Sequence, residues 1–206
     1  MGYSKFNLVL GSQSPRRKEL LSWLNIPFKI VTADLDEISN EKDPASVAMD
    51  IAHQKGRTVF NKIISIDDRS FVIASDTIVV LDDVIYGKPK DRLDAKRILN
   101  ELSGKTHLVI TGVSFLFKNN DGKVCEHQFY DQTEVHFNEI TPDLMENYLN
   151  TGDSLDKAGA YGIQGPSLTF ISKLNGSYSN VVGFPLDKIV EELRIILGEH
   201  WRSFFE

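Results

Sequence analysis

Short apolar runs alternate with longer amphipathic stretches along the whole chain. Residues 6–10 predict a buried strand, residues 14–24 a helix and residues 28–33 a second strand. Asp43 at an N-cap and Pro44 at the first helical position open a helix that runs to Ile63. Residues 71–81 form an almost unbroken β-branched, apolar run, the pattern of a strand covered on both faces. Asp82-Asp83 then predicts a tight turn into residues 84–86. Leu93, Ile98, Leu99 and Leu102 give residues 91–102 a helical period, with Gly104 as its stop. Residues 106–118 and 123–140 read as long strands around the hairpin signal Asn119-Asn120-Asp121-Gly122. Thr141-Pro142-Asp143 starts a helix that ends near Gly152. Residues 168–174 and 178–182 read as strands around Asn175-Gly176, and residues 185–197 as an amphipathic helix. Hairpins break any strict strand–helix alternation, which predicts an α/β protein with a mixed sheet and a cleft.

Composition narrows the picture. At 206 residues the chain is expected to be a single domain, 1–206, of two lobes around one cleft. No apolar run reaches the ~18–20 residues of a membrane span, and residues 1–6 lead straight into a strand with no signal-peptide core. A cytoplasmic protein with no membrane partner is expected. One cysteine, Cys125, leaves no disulfide framework, and the five histidines lack zinc-ligand spacing. A net charge of −6 argues against nucleic acid as a partner, while a small anion remains compatible if positive charge is gathered locally.

Several residues stand out against that background. Ser14 as N-cap and Pro15 after it place Arg16 and Arg17 in a first helical turn. Cations there oppose the helix dipole at ~0.3–1 kcal/mol each, which makes sense where an anion sits at that terminus. On this reading replacing either arginine by alanine costs little stability. Asp76 lies inside the buried run, where a carboxylate needs a partner. Lys55 falls on the apolar side of its helix, in register with Ala48, Ala52 and Val59, where such a lysine more often snorkels to water. Lys88 follows Gly87 and precedes Pro89. The cluster Asp34-Leu35-Asp36-Glu37 can hold Mg²⁺ or Mn²⁺, although most such clusters are solvated loops. The small-residue segment 156–165 suits a backbone passing close to a ligand, and Gln164 within it offers both a donor and an acceptor.

Together, Ser12-Gln13-Ser14-Pro15-Arg16-Arg17, Glu37, Lys55, Ser75-Asp76-Thr77, Gly87-Lys88-Pro89, Thr111-Gly112-Val113, residues 156–165 and Ser179-Asn180-Val181-Val182-Gly183 resemble the Maf family of nucleoside triphosphate pyrophosphatases. The likeness covers nearly the whole chain. It departs at Gly11, where the family often has alanine, and at Gln54-Lys55-Gly56 in place of Glu-Lys-Ala. The resemblance implies a two-lobed mixed-sheet fold related to the inosine triphosphate pyrophosphatases, usually dimeric. It implies hydrolysis between the α and β phosphates with a divalent metal, Mg²⁺ or Mn²⁺. Carried onto this chain, Asp76 is catalytic, and Glu37 with Asp76 holds the metal. Ser12, Arg16, Arg17, Lys55, Thr77, Lys88 and Gln164 bind substrate, and Arg16, Thr77 and Gln164 look like the set of the dTTP/UTP branch. The competing readings are the 7-methyl-GTP branch and a non-catalytic nucleotide-binding regulator of cell division.

Overall fold

The computed structural model describes residues 5–32 and 34–205. Its centre is a mixed seven-stranded sheet in the order β2-β1-β3-β5-β6-β7, with β4 paired to β3. The strands are β1 (Asn7–Leu10), β2 (Phe28–Ile30), β3 (Ser70–Leu81), β4 (Val84–Tyr86), β5 (Thr106–Lys118), β6 (Val124–Phe137) and β7 (Ile171–Asn175). β1 runs parallel to both β2 and β3, and the remaining pairs are antiparallel. The helices are α1 (Pro15–Ser22), α2 (Pro44–Ile63), α3 (Arg92–Leu102), α4 (Pro142–Asn150), α5 (Tyr178–Val182) and α6 (Leu186–Leu197).

Local chemistry explains most of the boundaries. Ser14, Asp43 and Asp91 each accept a main-chain N–H from the first turn of their helices. Asp82 and Asp83 both take positive φ, the geometry of a two-residue hairpin turn, and join β3 to β4. Asn119 and Lys123 close the β5–β6 hairpin.

Five expectations shift, the first being β2, which stops at Ile30 and leaves out Val31 and Thr32. Residues 178–182 are the helix α5, not a strand: the Ser177 side chain caps its start and Gly183, at φ 104°, its end. A five-residue segment, Tyr-Ser-Asn-Val-Val, is too short to show a period, so the caps decide. β6 stops at Phe137 beside a bulge, short of residue 140. β7 begins at Ile171, because residues 166–169 form a 3-10 turn. Leu93 faces solvent, and α3 buries Ala95, Ile98, Leu99 and Leu102 instead. The readings of residues 1–4 and of Ala33 lie outside the described residues.

The core divides at the middle of β3. On one face Phe71 and Ile73 join a cluster with α1 and α6, while Val79 and Leu81 join another with α3 and α4. On the opposite face Val72 packs with Val59 and Phe60 of α2, and Ile78 and Val80 pack with Ala48. Between these clusters β3 carries Ser75-Asp76-Thr77. That polar midpoint interrupts the apolar packing on both faces and leaves room for a cleft.

Candidate active site

A cleft of about 780 Å³ opens over that midpoint. This lies within the ~300–1,000 Å³ of small-molecule sites. It is lined by the first turn of α1, the α2 residues around Lys55, the Gly87–Lys88 bend and segment 156–164. Every expected site residue lines it: Ser12, Arg16, Arg17, Glu37, Lys55, Asp76, Thr77, Lys88 and Gln164.

Lys55 reaches Asp76 because α2 lies almost directly on the sheet. Opposite Asp76 in the β3–β5 register is Gly112, where a Cβ would come within 2.3 Å of the Ala48 backbone. Ala48 and Ala52 are fully buried on the same helix face. With side chains this small at the contact, the Lys55 ammonium settles 2.6 Å from Asp76 Oδ1 and 2.8 Å from Glu37 Oε1. Asp76 is only 7% exposed, so this contact supplies the partner that its burial requires. Lys55 therefore bridges carboxylates rather than snorkelling to bulk water.

Arg17, expected to bind substrate, is largely committed to acceptors of the protein itself. Its Nε donates to Gly183 O (2.9 Å), Nη1 to Ser75 O (2.7 Å) and Ser12 Oγ (3.4 Å), and Nη2 to Thr77 Oγ1 (3.2 Å). These bonds take most of the guanidinium's donors and tie α1 to β3 and to the end of α5. Burial pulls its pKa below the usual arginine value, against the opposing pull of Asp76. A small stability cost is therefore still expected for Arg16 but no longer for Arg17. Arg17→Ala leaves the Gly183 and Ser75 carbonyls without these charged donors and is expected to cost about 2–3 kcal/mol. Arg16→Ala should stay within ~0.5 kcal/mol, because it removes only an exposed pair. Urea denaturation of the two variants checks this, and equal losses would contradict it.

Arg16 reaches across the cleft mouth to Asp156, at 3.2 Å. Burial would raise the Asp156 pKa, but hydrogen bonds from Lys157 and Arg16 prevail and leave it lowered. Lys157, whose role sequence reading did not assign, holds this segment through Asp153 O (2.7 Å), Asp153 Oδ1 (2.9 Å) and Asp156 Oδ1 (2.6 Å). Farther along, the Tyr161 hydroxyl meets His107 Nε2 at 2.8 Å. Burial, then His136, lowers the His107 pKa to about 4, and burial raises that of Tyr161, so both rings stay neutral near pH 7. Gln164 and Lys88 are exposed on the cleft wall. Among the described residues neither has a hydrogen-bond or ion-pair partner, which leaves both able to meet a ligand.

Two Thr77 neighbours also escaped the sequence reading as functional groups. Thr111 Oγ1 lies 3.0 Å from Thr77 Oγ1, and Asn180 O lies 3.0 Å from Thr111 Oγ1. The available signal was the polar Thr111-Gly112 pair inside an apolar strand, since glycine in a strand interior marks close backbone approach.

The fold and cleft define a mixed α/β protein that gathers cations and a carboxylate pair around one cleft. The chain matches the family described as "Maf-like protein" over residues 7–196, and it belongs to that family. It is 46% identical over 187 residues to a dTTP/UTP pyrophosphatase of Alkaliphilus metalliredigens (strain QYMF), covering 90% of this chain and 94% of that protein. Its identity to a dTTP/UTP pyrophosphatase of Agathobacter rectalis is 40% over 196 residues, covering 91% of this chain and 96% of that one. Among solved structures, a HAM1 protein from Coxiella burnetii aligns with a TM-score of 0.48 and 11% identity, covering 92% of this chain and 99% of that one.

Proposed function

We propose that this protein is a pyrophosphatase that hydrolyses dTTP and UTP between the α and β phosphates, releasing the nucleoside monophosphate and pyrophosphate. The observation that carries this reading is the Glu37–Lys55–Asp76 cluster, set in a cleft that Arg16 and Lys88 also line. A triphosphate needs positioning, neutralised charge and an oriented water. Arg16 and Lys88 hold phosphate oxygens, Arg16 exchanging Asp156 for the substrate. Ser12 and Arg17, joined by a 3.4 Å hydrogen bond, line the same cleft. Asp76 orients the attacking water and accepts its proton. Lys55, between both carboxylates, keeps Asp76 in place.

Glu37 and Asp76 offer hard oxygen donors that suit Mg²⁺ or Mn²⁺, and an ion held between them would take the place of the Lys55 ammonium that bridges them here. Among the described residues no group of three or more His, Cys, Asp or Glu is placed to hold a metal, so further ligands would come from substrate and water. Glu37 and Asp76 would hold the ion, which when bound supplies charge neutralisation at the phosphates. We assign the protein to the cytoplasm, as a homodimer with a housecleaning role and no nucleic-acid partner. Among the described residues no helix is long and apolar enough to cross a membrane.

Base choice is placed at Gln164 and Thr77. Uracil and thymine present carbonyl acceptors, which the Gln164 amide N–H can meet, beside an N3–H donor, which the Thr77 oxygen can accept. Gln164→Glu keeps the volume and removes the amide donor. It is expected to lower kcat/KM for UTP and to shrink the margin over CTP, together by about tenfold. Pyrophosphate release from UTP, dTTP, CTP and GTP decides the matter. Equal turnover of all four by the wild-type protein would reject the substrate assignment.

A further inference from the structure

The hydrogen-bond directions around Thr77 leave its hydroxyl without a proton to offer a ligand. Asn180 O is a carbonyl and can only accept, so Thr111 Oγ1 gives it its single proton across 3.0 Å. Thr77 Oγ1 lies 3.0 Å from Thr111 Oγ1, and with the Thr111 proton already committed, Thr77 must be the donor of that pair. Thr77 in turn accepts from Arg17 Nη2 at 3.2 Å. A hydroxyl has one proton and two lone pairs. After these bonds only one lone pair remains, on a residue that lines the cleft.

The far end of this chain of bonds is fixed. Thr111 and Asn180 are completely buried. Asn180 Nδ2 donates to Val109 O and to Thr133 Oγ1, each at 3.0 Å, which fixes α5 against β5 and β6. The Asn180 carbonyl cannot turn away without breaking those bonds.

We propose that Thr111, anchored by Asn180, is a positioning residue that holds Thr77 as a pure acceptor toward the substrate. The cleft then favours a base that brings an N–H to Thr77, as the N3–H of uracil and thymine does. Cytosine brings an acceptor at N3, and two acceptors face each other with no proton between them. The inference rests on the reading that the cleft takes a pyrimidine nucleoside triphosphate with its base beside Thr77.

Thr111→Val removes the hydroxyl with little change of shape. Asn180 O keeps its second donor, the Gly183 N–H at 2.8 Å. The Thr77 proton is then free to turn into the cleft and meet cytosine N3. The ratio of kcat/KM for UTP over CTP is expected to fall about tenfold or more in Thr111→Val, and to return to the wild-type ratio in Thr111→Ser. Thr111→Ala makes the same test without the added branch, should the valine variant not fold, and melting temperatures report folding for all three. A folded valine or alanine variant with the wild-type ratio overturns the proposal, as does a uniform loss on both substrates. If wild-type protein itself shows no preference for UTP over CTP, the base-binding reading fails and takes this inference with it. A wild-type preference that survives the loss of the Thr111 hydroxyl sinks this inference alone.

Discussion

Asp76→Asn is expected to fold and to lose UTP hydrolysis by at least ~100-fold, the low end for a positioned general base. Asparagine keeps the size of the side chain but neither accepts a proton from water nor offers the charge that pairs with Lys55 at 2.6 Å. Removing one partner of a buried ion pair ordinarily costs ~3–5 kcal/mol because a charge is stranded. Here the stranded charge would be Lys55, and it keeps Glu37 at 2.8 Å, so the stability loss should be well below that range. Nucleotide binding, which draws on Arg16 and Lys88, should persist. Pyrophosphate release and calorimetric UTP titration on the same folded sample separate the effects. Turnover within tenfold of wild type in a folded Asp76→Asn protein would remove Asp76 from the reaction.

Asp76 was legible in the sequence because one charged residue inside a buried β-branched run has few benign explanations. Lys55 was legible only as an anomaly on an apolar helix face, since its partners are 18 and 21 residues away in the chain. Helix starts were readable wherever Ser or Asp preceded proline or an amphipathic run, because a cap acts within three residues. The same logic recovers α5 from Ser177 and Gly183, although Tyr178 and the Val181-Val182 pair between them suggest a strand. The duty of Arg17 could not be read. Its basic side chain in a first helical turn suggests an anion, yet its acceptors are main-chain carbonyls at Ser75 and Gly183 that only the folded sheet brings near. Direction along the Thr77–Thr111–Asn180 chain is likewise a property of the assembled structure. No local pattern states which hydroxyl donates.

Gly112→Ala is expected to be the most damaging single-methyl substitution at the site, with Gly56→Ala its mild counterpart. Both glycines lie in the α2–sheet contact, but the added carbons would meet different things. At Gly56 the nearest atom is Leu116 Cδ1, at 2.5 Å, the far end of a side chain that can change rotamer. An alanine there should cost about 1 kcal/mol, within the range for adding a methylene to a core. At Gly112 the neighbours are Ala48 C and O at 2.3 Å and Met49 N at 2.4 Å, all main-chain atoms of α2. No rotamer change relieves that overlap, so the helix itself must move away from β5. The cost should reach about 3 kcal/mol, the upper end for overpacking. Trimming Ala48 to glycine should not rescue it, because the clashing atoms are backbone. The catalytic consequence is larger than the thermodynamic one. Gly112 is paired with Asp76, and α2 carries Lys55, so the displacement acts on the 2.6 Å contact between them. Misplacing a reacting group by about 1 Å can cost ~10²-fold in rate, and turnover per folded molecule should fall on that scale. Urea denaturation together with pyrophosphate release from UTP tests both halves. If Gly112→Ala is destabilised but fully active when folded, the spacing of α2 from β5 serves packing alone. If it is neither destabilised nor slowed, the close approach of helix and strand is not what sets Lys55 against Asp76.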